Sequence, residues 1–110
     1  MPDYCTVADV KSVLRIDALE TSEDVELADC VTSCSDKVDN LLKAAGLVVP
    51  LVVPVPQSVK DATKFFAAWQ YRRRRDPAGA QTFWYDAQET LQGYIAAALA
   101  AEEAPYVGSV

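Results

Sequence analysis

The chain has 110 residues, 51% of them apolar, and a formal net charge of −6. That size and apolar share describe one domain with one core. It holds no histidine, which removes the commonest general base and metal ligand, and its longest apolar run is broken by prolines, so neither a histidine-based catalytic site nor a membrane span is expected.

The opening, MPDYCTVADV, lacks a basic stretch followed by an apolar one, so no signal peptide is expected. Thr6 is a good N-cap for a short helix to about Leu14, with Asp9 favouring its first turn. RIDALETSED then reads as a turn, and Thr21 or Ser22 caps a second, long helix with Glu23, Asp24 and Glu26 at its positive end. Leu27, Ala28, Val31, Cys34, Val38, Leu41, Leu42 and Ala45 recur at helical spacing and form its buried stripe, which stops at Gly46. Its opposite face carries Asp29, Asp36 and other polar residues. Asp39 is read with Asp36 as part of a solvated acidic surface.

LVVPLVVPVPQ follows. Its valines look like strand, but Pro50, Pro54 and Pro56 remove ladder donors, so an extended connector is expected. Val52, Val53 and Val55 either lie over the core or meet another subunit. Ser58 caps a third helix with Val59, Ala62, Phe65, Phe66 and Trp69 facing inward. Asp76-Pro77 ends it, Ala78-Gly79 turns the chain, and a fourth helix runs from about Ala80 to Glu103. The spacing predicts an all-α fold: a small bundle of about four helices, two of them long, with an extended Val/Pro-rich loop between the second and third. Residues 1–110 are read as a single domain, with 5–103 as its ordered core and 104–110 as a flexible tail.

No catalytic or phosphate-binding motif is present. Three cysteines, Cys5, Cys30 and Cys34, are read as free core thiols. No cofactor, no metal and no enzyme activity are expected. Charge is uneven: residues 1–45 hold ten acids and four bases, residues 46–76 two acids and six bases, and residues 77–110 four acids and no base. The third helix, with Lys60, Lys64 and Arg72 to Arg75, is therefore a basic element between acidic ones. Four successive residues on a helix circle its axis, so the arginines cannot form one flat patch. Arg73 continues the side of Phe66, Trp69 and Gln70 and is read as packing its stem inward with its head reaching out to solvent, while Arg72, Arg74 and Arg75 point elsewhere. These outward arginines, Lys60 and Lys64, the valines and the acidic Asp29 and Asp36 are the candidate contact residues, either for another copy or for an acidic partner. Non-specific nucleic-acid binding through Arg72–Arg75 is the alternative, weakened by the acidic net charge.

TVADVKSVLRID, SEDVELADCVTSCSDKVDNLL and VPQSVKDATKFFAAWQYRRRRDPAGAQTFWYDAQETLQGYI together resemble the small head–tail connector (adaptor) proteins of tailed bacteriophages and related prophages. The resemblance implies a structural virion protein without catalytic residues. It would be a monomer in solution or a ring, typically dodecameric, beneath the portal protein, which it bridges to a neighbouring tail or connector protein. DNA would pass through the ring, with non-specific contact and no membrane involvement. The implied location is the virion, and the host cytoplasm during assembly.

Overall fold

The computed structural model describes residues 3–17, 19–47 and 55–108, with side chains of the last helix through Ala100. The described residues form four helices: α1 (Val7–Leu14), α2 (Asp24–Ala44), α3 (Gln57–Arg72) and α4 (Pro77–Gly108). No strand occurs among the described residues. The architecture is the all-α small bundle that the spacing predicts.

Thr6 and Asp9 cap α1 reciprocally, each side chain accepting from the other's backbone N–H at 3.2 and 3.0 Å. Arg15 ends it in the left-handed region, with φ of 61°. The second helix departs from expectation at its start. It begins at Asp24, and neither Thr21 nor Ser22 caps it, because Glu20 Oε1 accepts the Ser22 N–H at 2.9 Å and builds a turn first. Asp24 is instead held by Lys11, an almost fully buried lysine of α1, at 2.5 Å. The end of α2 is as predicted: Gly46 sits at φ 93°, and the N–H groups of Gly46 and Leu47 return to the carbonyls of Lys43 and Leu42.

Ser58 does not cap α3. The helix starts one residue earlier, and the Pro56 carbonyl receives the Val59 and Lys60 N–H groups, since proline already fixes the backbone at the helix entry. The Ala78-Gly79 turn is also corrected. Pro77 is the first residue of α4, Ala78 and Gly79 are already helical, and Asp76 Oδ1 accepts the Gly79 N–H at 3.1 Å. At its far end α4 continues past Glu103 to Gly108, through Pro105, where one missing N–H so near the terminus interrupts little of the ladder.

The third helix is the centre of the bundle and packs against each of the other three. Val59, Ala62, Phe66, Ala67 and Ala68 of α3 are fully buried against Leu27, Cys34, Val38 and Leu42 of α2 and Ala87 and Leu91 of α4. Burying such side chains contributes about 1.5–3 kcal/mol each for the larger ones. Two readings of the α2 stripe are corrected: Ala28 is exposed and Leu41 is 41% exposed. Cys30, Ser35 and Asp39 are buried in addition. Asp39 is thus no part of a solvated acidic face. The cause is the N-terminal segment: Tyr4, itself buried, covers this side of α2, donating its N–H to Ser35 Oγ at 3.0 Å and its hydroxyl to Asp39 Oδ1.

Candidate interaction surfaces

The end of α3 divides the four arginines into two groups. Arg74 and Arg75 turn back to the first turn of α2. Arg75 donates to Glu26 Oε2 at 3.0 Å and to the Tyr71 carbonyl at 3.0 Å, and lies 3.6 Å from Glu23. Its guanidinium sits 4.1 Å from the Tyr71 ring centroid. Arg74 lies 3.7 Å from Glu26. These cations at a helix C-terminus and acids at a helix N-terminus satisfy two helix dipoles at once. The Arg75 hydrogen bond holds the Glu26 carboxyl below its ordinary range. The outward arginines were expected to meet another copy or an acidic partner; the acids that Arg74 and Arg75 meet are on α2 of the same chain.

Arg72 and Arg73 take a different route. Arg73 stands at the C-cap of α3 and is exposed, on the Trp69 side. Its guanidinium lies 4.6 Å from the Trp69 ring, and Arg72 lies 6.0 Å from the Phe83 ring. Lys37 of α2 lies 5.9 and 5.7 Å from the Trp69 and Trp84 rings. The two indoles are packed 4.6 Å apart, centroid to centroid, and Trp84 meets Phe66 edge-on. Three cations thus rest on a half-buried aromatic floor. Sequence reasoning missed Lys37 because it lies on α2 and the rings on α3 and α4, so only the tertiary fold brings them together.

The other predicted contact residues are spread over the surface. Lys64 pairs with Asp61 at 3.1 Å within α3 and rests 5.7 Å from the Phe65 ring. Lys60 is half-buried on the preceding turn. Asp29 is exposed and Asp36 half-buried, both along a concavity of about 740 Å³ beside α2 that Lys37 also lines. Val55 is half-buried against the core, while Val52 and Val53 lie outside the described residues. A smaller groove of about 290 Å³ runs between the end of α2 and α4, lined by Leu41, Ala45, Phe66, Leu91 and Ile95.

The thiols are poor nucleophiles. Burial pushes Cys5 and Cys34 up to about 12, with Asp9 adding to the rise at Cys5 and the Cys30 thiol to that at Cys34, and burial raises Cys30 as well. Gln70 donates to Cys30 Sγ at 3.7 Å and accepts from Cys34 at 3.4 Å. No helix among the described residues is long and apolar enough to cross a membrane.

The chemistry of the described surface lies in its charged and aromatic outer faces. The family model of phage gp6-like head-tail connector proteins matches residues 4–96, and the chain belongs to that family. This is a structural class whose members work among other phage head and tail proteins. No curated protein and no solved structure matches the chain.

Proposed function

We propose that the chain is a ring subunit that docks beneath the portal of the phage head and bridges it to the next connector or tail protein, with the genome passing through the ring. The observation that carries this reading is the family match over residues 4–96, which spans all of α1, α2 and α3 and most of the core-facing part of α4. The charge layout supports it. Rings form from two different, complementary patches on one subunit, and this chain carries a cationic face at the end of α3 and an acidic face on α4. The subunit is elongated, 56 by 28 by 21 Å, which suits side-by-side packing around an axis. Its place is the virion, reached from the host cytoplasm during assembly, and its isolated form is a monomer that closes into a ring, typically dodecameric, on docking.

Intrachain pairing of Arg74 and Arg75 reduces the charge available to a duplex, so DNA contact in the channel is weak and independent of sequence. The test is cosedimentation of the purified protein with filled, portal-bearing heads. Recovery in the head fraction at several copies per head is expected. Recovery no greater than with portal-free capsids would refute the proposal.

A further inference from the structure

The geometry points to a contact between copies in which Lys37, Arg72 and Arg73 of one subunit receive Asp86 and Glu89 on the outer face of α4 of the next, with Tyr85 as the apolar anchor. It rests on the reading that the chain assembles with itself, and it names the two faces that meet.

The cationic side is prepared for an anion. The ion pairs among the described residues use Lys11, Lys64, Arg74 and Arg75; of the six remaining cations, Lys37, Arg72 and Arg73 are the ones seated together on aromatic rings around Trp69, Trp84 and Phe83. Each is seated on a ring: Lys37 on Trp69 and Trp84, Arg73 on Trp69, Arg72 on Phe83. A cation already placed on an aromatic face loses less freedom when its partner arrives. A guanidinium so placed still offers its N–H edge to a carboxylate in bidentate fashion.

The acidic side lies elsewhere on the same chain. Residues 77–110 contain four acids and no base. Phe83, Trp84 and Ala87 of α4 turn inward, while Tyr85, Asp86 and Glu89 are exposed, Tyr85 by 62%. Asp86 and Glu89 are three residues apart, on one helix face, and neither has an ion pair. An exposed tyrosine beside these acids is the residue type that anchors interfaces. The two patches are unlike and lie on different sides of α4, so they pair one copy to the next without being used up in a closed dimer.

A nucleic acid fits this face less well. The rings are already covered by cations and are not open to stacked bases, and three free charges on a chain of net charge −6 give little counterion release.

The experiment uses the full chain and portal-bearing heads. Arg72→Glu/Arg73→Glu and Asp86→Lys/Glu89→Lys are each expected to lower incorporation by about tenfold or more, as loss of close charge pairs does. Combining the two sets restores it, because the reversed charges meet again. Melting curves by circular dichroism exclude misfolding, and Arg72→Gln/Arg73→Gln replaces the glutamate variant if that one does not fold. Incorporation equal to wild type in both folded single sets overturns the proposal, as does failure of the combined set to recover. So does binding of a random duplex at low salt that Arg72→Gln/Arg73→Gln abolishes, which would assign the face to nucleic acid. If the wild-type protein itself does not join heads, the ring reading fails, and that outcome is distinct from failure of charge exchange.

Discussion

Arg75 joins the end of α3 to the start of α2: its guanidinium donates to Glu26 at 3.0 Å across 49 residues of sequence. The arginine run therefore has a share in the fold as well as a surface. Glu26 is held below its ordinary value of 4.5, first by the Arg75 hydrogen bond. A lowered carboxyl stabilises the fold above that value, and the contribution fades as pH falls through the folded-state value. Arg75→Gln should lower the melting temperature slightly at neutral pH, since the pair is largely exposed, and by less well below pH 4.5. Thermal melts of both proteins across that range check this. An equal deficit at every pH would assign the loss to the Tyr71 stacking instead.

Tyr4 and Asp39 form the buried counterpart of that pair. Asp39 is 3% exposed, and its Oδ2 has no hydrogen-bond partner among the described residues, so the Tyr4 hydroxyl at Oδ1 is a contact it cannot spare. Tyr4→Phe should cost about 1–3 kcal/mol, the penalty of a buried acceptor losing its donor. Tyr4→Phe/Asp39→Leu should cost less than the sum of the two single changes, which a double-mutant cycle in denaturant measures.

The thiols offer a third check. With Cys5 and Cys34 pushed up to about 12 and buried, a thiol reagent at mildly alkaline pH should leave both unlabelled in the native protein. Denaturation should expose all three cysteines to labelling. Rapid native labelling of Cys34 would show that the α2–α3 seam opens far more readily than its packing implies.

The start of α4 depends on Asp76, which accepts the Gly79 N–H. Asp76→Ala should cost about 1 kcal/mol. Gly79→Ala should lose a similar amount, because the added Cβ would stand 2.9 Å from Asp76 Cγ and displace the capping carboxylate. Adding Gly79→Ala to Asp76→Ala should then cost little more. Denaturation midpoints of the three variants decide it.

The helical spacing of Leu27, Val31, Cys34, Val38 and Leu42 made α2 and its core side legible, because a helix that buries one face repeats at its own period. The same periodicity could not place Ser35 and Asp39 inside: what covers them is Tyr4, from a segment with no period of its own. Helix starts were misread at Thr21, Ser22 and Ser58, where capping residues are present but backbone carbonyls take the hydrogen bonds: that of Thr21 accepts the Asp24 N–H, and that of Pro56 accepts those of Val59 and Lys60. The arginine run showed its charge in the sequence but not its division. Glu26 and Lys37 lie on α2, and only packing against α3 brings one to Arg75 and the other to Trp69, the ring that Arg73 also covers.

The central claim is assembly at the portal, and electron microscopy of portal-bearing heads mixed with the purified protein tests it most directly. The account predicts an added ring of density beneath the portal, with α4 at the contact between neighbouring subunits. Heads whose portal exit stays bare at saturating protein, or density that decorates the capsid shell instead, would contradict it.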